Sequence, residues 1–168
     1  AIPDGLYDEV NNRLNIKDSV RVNLRNNSAP YVIVDSAIGI LDSLTFTATV
    51  IFNKALTGNY YIEVKHRNSL ETWSNQINYT VAVNTNYNFT SAVTQAYGSN
   101  MISKNGKWCI YSGDINQDGF INGNDFTFYS TQYGSTGYFN SDLNGDGVVN
   151  GNDFTIFSNN YGKGVIIP

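Results

Sequence analysis

A twelve-residue segment occurs twice near the C-terminus, and it constrains this chain more than any other feature. DINQDGFINGND occupies residues 114–125 and DLNGDGVVNGND occupies residues 142–153, with eight of the twelve positions identical. Similar apolar patterns follow, FTFYSTQYG after the first copy and FTIFSNNYG after the second. The repetition predicts one structural unit that is built twice.

Oxygen-bearing side chains recur at relative positions 1, 3, 5, 9 and 12 of both segments. Glycine stands at position 6, where a loop that wraps a cation needs a sharp turn, and position 7 offers its backbone carbonyl. Because every donor is oxygen, the pattern favours a hard cation, Ca²⁺, and excludes zinc or iron. We therefore predict two Ca²⁺ ions, with the ligands Asp114, Asn116, Asp118, Phe120, Asn122 and Asp125 in the first loop and Asp142, Asn144, Asp146, Val148, Asn150 and Asp153 in the second.

The distribution of acidic residues supports this interpretation. The chain has 14 Asp and Glu residues, and all six that follow Glu71 stand at positions 1, 5 and 12 of the two loops. Three like charges brought close together repel each other unless a counter-ion lies between them. A turn-rich linker is the alternative, since Asp, Asn and Gly all favour turns. Two copies with every ligand position retained argue against a linker.

A short helix is predicted after each loop. Apolar side chains follow the i, i+3, i+7 spacing of an amphipathic helix, and a glycine comes next where a left-handed C-terminal cap belongs. No helical pattern precedes either loop, so the unit is a loop followed by a helix. The positions are Phe126, Tyr129, Tyr133 and Gly134 in the first unit, and Phe154, Phe157, Tyr161 and Gly162 in the second.

The first ninety residues alternate apolar and polar side chains with the period of two that β-strands require. SVRVNLR at 19–25, LTFTATVIF at 44–52 and NYYIEVKHR at 59–67 are the clearest runs, and INYTVAV and NYNFT continue the pattern. We predict a mainly β fold with an N-terminal antiparallel β-sandwich of about seven strands, immunoglobulin-like or transthyretin-like. A small α module follows it.

Changes in composition along the chain suggest the domain boundaries. The connector is rich in small and polar residues, and WCIY at 108–111 resembles one more short strand. The apolar ends, AIPDGLY and GVIIP, either pack on their own domain or add to a neighbouring molecule. The predicted division is a β-sandwich at 1–92, a connector with a short strand at 93–112, the duplicated module at 113–162 and a tail at 163–168.

Composition excludes several classes of partner. The net charge of −4 argues against nucleic acid or an anionic membrane as a partner, and no apolar stretch approaches the roughly 20 residues that span a bilayer. One cysteine permits no intrachain disulfide. The chain starts at Ala1 without an initiator Met, which we interpret as removal of a secretory signal from an extracellular or cell-surface protein; a fragment of a longer chain would begin in the same way.

No catalytic constellation is evident, so we predict that the protein is not an enzyme. His66 is the single histidine and lies in an alternating strand, where a packed or surface role is expected. Cys109 follows Trp108 in an apolar run, as a buried inert thiol would. Trp73 and the 12 tyrosines leave open a sugar-stacking surface and hence a polysaccharide partner.

Residues 113–162 resemble a dockerin type I repeat pair, the calcium-dependent module by which secreted bacterial proteins plug into cohesin domains. The resemblance implies the twelve ligands named above, with Asp preferred to Glu at position 12. It also implies that loop positions 10 and 11 contact the partner. Those positions are Gly123, Asn124, Gly151 and Asn152, where family members commonly carry hydroxyl pairs.

Three functions compete on these observations. The leading hypothesis is a secreted assembly protein whose calcium-ordered tail holds a neighbour, either another copy in a surface fibre or a different scaffold protein. The first alternative is a dockerin that anchors a cargo module to a cohesin-bearing scaffold. The second is a carbohydrate-binding β-sandwich.

Overall fold

A computed structural model describes all 168 residues, and strands dominate its regular structure. Two helices lie near the C-terminus, and two short 3₁₀ turns lie in the predicted connector. The strands are β1 (Tyr7–Asp8), β2 (Arg13–Leu14), β3 (Asp18–Asn26), β4 (Ile33–Leu41), β5 (Gly58–His66), β6 (Ser69–Trp73), β7 (Ile77–Tyr79), β8 (Ile102–Lys104) and β9 (Lys107–Cys109), and the helices are α1 (Gly123–Gln132) and α2 (Gly151–Asn160).

Five strands form one antiparallel sheet in the order β4-β3-β5-β6, and β7 also pairs with β5. The alternation predicted in the sequence is present in β3, where Val20 and Leu24 are buried in the core while Arg21 faces outward. Two small antiparallel hairpins, β1–β2 and β8–β9, complete the β structure. The predicted mainly β, sandwich-like class with a small α module is therefore confirmed.

The predicted strand at residues 44–52 is wrong, because no ladder forms there. The Asp42 carboxylate accepts hydrogen bonds from the backbone N–H groups of Leu44 and Thr45, at 3.0 and 2.9 Å, which folds the start of the segment into a turn. Phe46 then takes a positive φ of 59°. Its side chain nevertheless packs against the core, so alternation here reports burial without pairing. Residues 80–83 and 86–90 also lie outside strands. Phe89 is buried there, whereas Val81 and Val83 are exposed, so alternation in these two runs reports burial only in part.

Two hydrophobic clusters divide the interior. The first joins the N-terminal segment, the sheet and the β8–β9 hairpin, and the second joins the two loops and helices with Leu70 of β6. Ile2 and Leu6 are fully buried in the first cluster, and the Ile110 N–H donates to the Ile2 carbonyl at 2.8 Å. The apolar N-terminus therefore packs on its own chain. At the other end, Val165 packs on the second cluster.

The Asp18 carboxylate links the sheet to the C-terminal half of the chain through hydrogen bonds. Its carboxylate accepts hydrogen bonds from Arg67 Nε at 2.9 Å and from the Tyr138 hydroxyl at 2.6 Å, and His66 Nε2 lies 3.2 Å away. Burial alone would raise the pKa of Asp18, but these hydrogen bonds outweigh it and hold the pKa well below its usual range. The single histidine is thus a buried structural group.

Asp18→Asn is expected to lower the free energy of unfolding by about 3 kcal/mol near neutral pH, because Arg67 is left without its buried partner. A depressed folded-state pKa stabilises the fold above the unfolded pKa of about 4, and the contribution is lost as pH falls further. Urea unfolding at about pH 7 and about pH 2.5 should show the difference between wild type and variant shrinking in acid. An equal difference at both pH values would contradict this role for Asp18.

Candidate metal centre

The acidic side chains of the first loop come together in the fold. One carboxylate oxygen each from Asp114, Asp118 and Asp125 lies within 4.8 Å of the other two. Asp114 and Asp125 are buried, whereas Asp118 is exposed. The three predicted positions 1, 5 and 12 therefore share one small volume.

Backbone N–H groups hold the first carboxylate of this loop in place. Asp114 accepts hydrogen bonds from the Asp118 and Gly119 N–H groups at 3.1 and 3.2 Å. Gly119 has a φ of +90°, a conformation that strains any L side chain, so the predicted glycine turn is present. The loop thus closes on Asp114 through its own backbone.

The last carboxylate ties the two ends of the loop to each other. Asp125 accepts hydrogen bonds from the Ile115, Asn116 and Asn122 N–H groups at 2.7, 3.1 and 2.9 Å. Because Asp125 stands in the first turn of α1, these bonds also fix the helix against the start of the loop.

The second loop repeats most of these hydrogen bonds, but its three carboxylates do not gather as closely as those of the first loop. Asp142 accepts from the Gly145 and Gly147 N–H groups at 2.8 and 3.0 Å. Asp153 accepts from the N–H groups of Leu143, Asn144 and Asn150 at 2.7, 3.1 and 2.8 Å, and it stands in the first turn of α2. The duplicated sequence therefore produces a duplicated hydrogen-bond scheme.

The asparagines at position 9 have a second role that the sequence analysis missed. Asn122 caps α1 by accepting from the Asn124 N–H at 2.7 Å, and Asn150 caps α2 in the same way with the Asn152 N–H at 2.8 Å. Each forms a capping box with the aspartate three residues later. The signal was the N-x-x-D spacing at the start of each apolar pattern.

The remaining predicted ligands lie at the rims of the loops. The Asn116 and Asn144 amides donate to Asp118 and Asp146 at 2.8 and 2.9 Å, so positions 3 and 5 are adjacent in both loops. At position 7, Phe120 and Val148 stand in isolated antiparallel bridges, to Gly164 and Thr136, the residues that follow α2 and α1. Each loop therefore pairs with the segment that follows the helix of the other repeat.

The carboxylates of the first loop lie so close together that a bound cation would stabilise their ionised forms. Burial, followed by the neighbouring carboxylate of Asp125, raises the pKa of Asp114 to about 7. The pKa of Asp118 is lowered, chiefly by the Asn116 amide. In the second loop, burial raises the pKa of Asp153. A set of oxygen donors that carries excess negative charge fits Ca²⁺.

An aromatic hollow lies between the helices beside the loops. It has a volume of about 470 Å³, and Phe126 and Phe154 meet there with ring centroids 6.0 Å apart. Both rings are substantially exposed, at 45% and 41%. The predicted contact positions at the helix N-termini are exposed as well. They are Gly123, Asn124, Gly151 and Asn152, of which Gly123 lines the hollow with Phe157, Ser158 and Tyr161.

The other candidate groups are buried. Cys109 is fully buried, and burial raises the pKa of its thiol to about 12, which suits an inert side chain. Trp73 is only 4% exposed, and the Arg25 guanidinium lies 5.1 Å from its ring centroid. Trp73 therefore offers no open face on which a sugar could stack.

Residues 112–161 match the model of the dockerin type I domain family. Two solved structures are similar in fold: N-terminal and C-terminal interface mutants of a type II cohesin–X–dockerin complex from Acetivibrio cellulolyticus. Their TM-scores are 0.50 and 0.49, with 18% and 19% identity, and each match covers 86% of this chain and 81% of the other. No curated protein matches the sequence.

The dockerin resemblance of the duplicated segment is confirmed by the family match. The likeness to the first of the solved structures supports the mainly β fold that precedes the segment. The family match indicates that the duplicated segment is a module of protein assembly. Neither α1 nor α2 has the length and apolar character of a bilayer-spanning helix.

Asp114→Asn is expected to have opposite effects with and without calcium. In EDTA at about pH 8 the variant should be more stable than wild type by about 1 kcal/mol, because one of three crowded charges is removed. With calcium in excess it should be less stable, because a predicted ligand of the ion is lost. Thermal unfolding under both conditions measures the crossover.

Asp118→Asn is the matched control within the same loop. It also removes one charge, but from an exposed carboxylate whose pKa is lowered, so no gain of stability is expected in EDTA. A calcium-free Asp114→Asn protein that is less stable than wild type would contradict the charge crowding.

Proposed function

We propose that this protein is a non-enzymatic, calcium-dependent docking protein that anchors its β-sandwich to a cohesin-like domain on a separate scaffold. The observation that carries the proposal is the cluster of three carboxylates within 4.8 Å, in a segment that matches the dockerin type I family. The proposed module comprises residues 113–162, after the sandwich at 1–92 and the connector at 93–112.

Calcium binding would act by ordering the two loops. Bound Ca²⁺ supplies the positive charge that lets the carboxylates stay ionised at close range. Asp125 and Asp153 already link each loop to its helix, so the free energy of binding would become free energy of folding for both elements. The proposed ligands are the twelve residues named from the sequence, with Phe120 and Val148 contributing carbonyl oxygens.

The proposed partner surface is the aromatic hollow with the exposed loop positions at its rim. Exposed aromatic side chains around an apolar depression are typical of the residues that dominate binding energy at interfaces. Phe126 and Phe154 occupy equivalent positions in the two repeats, so both helices contribute to one continuous surface. Gly123, Asn124, Gly151 and Asn152 would contact the partner at the edge of this surface.

Docking to a scaffold is favoured over self-assembly into a fibre. The family match concerns a docking module, and Ile2 and Leu6 of the apolar N-terminal segment are buried within this chain. An extracellular location accords with this proposal, since calcium modules outside the cell work at roughly 10⁻⁴ to 10⁻³ M calcium. Polysaccharide binding by the sandwich is not favoured, because Trp73 is buried.

The test uses a panel of purified type I and type II cohesin domains immobilised for surface plasmon resonance. We expect the intact protein to bind at least one cohesin in millimolar calcium and none in EDTA. Sedimentation of the protein alone should show a monomer. Failure to bind any cohesin, with calcium-dependent filaments in the ultracentrifuge instead, would favour self-assembly.

Phe126→Asp is expected to weaken cohesin binding at least tenfold, because it removes a ring from the centre of the hollow and places a charge there. Phe128→Asp is the matched control, since Phe128 lies on the same helix with a similar exposure of 47% but outside the hollow. Affinities and far-ultraviolet circular dichroism would be measured for both. Equal losses of affinity would place the partner elsewhere.

A further inference from the structure

The two loops differ in what holds the backbone carbonyl of their first residue. In the first loop, Gln117 at position 4 donates its side-chain amide to the Asp114 carbonyl at 2.6 Å, and also to the Ser69 carbonyl at 3.2 Å. The second loop has Gly145 at position 4 and therefore no such amide. Its donors come from outside the loop.

Those donors belong to the turn between β5 and β6. Arg67 Nη2 donates to the Asp142 carbonyl at 3.0 Å, and Asn68 Nδ2 donates to the same oxygen at 3.1 Å. Asn68 Nδ2 also reaches the Asn140 carbonyl at 3.1 Å, and Arg67 Nη1 donates to the Phe139 carbonyl. The sandwich thus supplies the hydrogen-bond donors to the Asp142 carbonyl, whereas Gln117 supplies the donor to the Asp114 carbonyl.

The turn that carries these donors is itself rigidly held. Arg67 Nε donates to Asp18, and the guanidinium carbon lies 4.5 Å from the centre of the Tyr138 ring. Asn68 is fully buried, and its carbonyl accepts from the Gly113 N–H at 2.7 Å. Because neither side chain is free to move, the donors are in place before any ion binds.

Glycine at position 4 lets the sandwich approach the second loop. A Cβ on Gly145 would lie 2.8 Å from Leu6 Cδ2 and 3.0 Å from Ile16 Cγ1, closer than packing allows. Asn15 adds a hydrogen bond from its amide to the Asn144 carbonyl at 2.8 Å. The second loop therefore packs directly against the N-terminal segment.

We propose that Arg67 and Asn68 are positioning residues of the second calcium site. They preorganise the loop around Asp142, so this site depends on the sandwich, whereas the first site supplies its own donor through Gln117. The inference rests on the proposed calcium binding. Without the two donors the loop would have to be ordered when the ion binds, and that cost would appear as lost affinity.

The experiment isolates each site in the full-length chain. Asp118→Ala disables the first site and Asp146→Ala disables the second, and both residues are exposed position-5 ligands whose loss the fold should tolerate. Calcium would be titrated calorimetrically into each background, with and without Arg67→Ala or Asn68→Ala. Arg67→Lys, which keeps the charge beside Asp18, serves if Arg67→Ala fails to fold.

We expect the substitutions to change calcium affinity differently in the two single-site backgrounds. Either substitution should weaken calcium binding tenfold or more, about 1.4 kcal/mol, where only the second site remains. Neither should change it more than about twofold where only the first site remains. Gln117→Ala should give the reverse pattern.

Equal effects on the two sites, or no effect on the second, would overturn the proposal while leaving calcium binding intact. No calcium binding by the wild-type protein would overturn the proposed function as well. The two failures are therefore distinguishable in one series of titrations. Thermal unfolding in EDTA provides a second readout, because a purely structural role would lower stability without separating the sites.

Discussion

Two buried aspartates, Asp125 and Asp153, are the constraint on which the C-terminal module depends. Each accepts backbone hydrogen bonds from the start of its loop and from the N-cap of its helix, so loop and helix are ordered together. A carboxylate buried in this way also crowds the acidic side chain at position 1 of its loop. The same residue therefore requires a compensating charge and stabilises the helix that would meet a partner.

The sandwich and the duplicated module are joined by more than a connector. Asn160, at the end of α2, donates to the buried Asp4 carboxylate at 3.0 and 3.2 Å and to the Ser112 carbonyl at 2.8 Å. Burial raises the pKa of Asp4. With the contacts of Asp18, these bonds fix the helices relative to the sheet. A partner held on the helices would therefore hold the sandwich in a defined orientation.

The sequence predicted the module better than the sandwich. Local rules specify a loop–helix unit: Gly134 and Gly162 take positive φ after the helices, at 81° and 83°, and the three acidic positions of the first loop converge as the spacing requires. Strand alternation is less specific, because residues 44–52 half-bury Phe46 without pairing and residues 80–83 leave Val81 and Val83 exposed. Pairing and burial both depend on where the neighbouring strands lie, which alternation does not record.

Contacts between residues that are far apart in the sequence could not be predicted from local sequence patterns. Arg67 and Asn68 lie more than seventy residues from Asp142, and nothing in KHRNS distinguishes a turn that supports a second loop from an ordinary hairpin. The position-4 difference between Gln117 and Gly145 is visible in the sequence. Its meaning appears only when the sandwich is in place.

The most direct test of the central claim is the number of calcium ions that each chain carries. Native mass spectrometry of the intact protein, equilibrated in calcium and transferred to a volatile buffer, measures it without assuming a partner. We expect two ions per chain, falling to one in a chain that lacks either position-5 aspartate. A chain that remains free of calcium at millimolar concentration would contradict it.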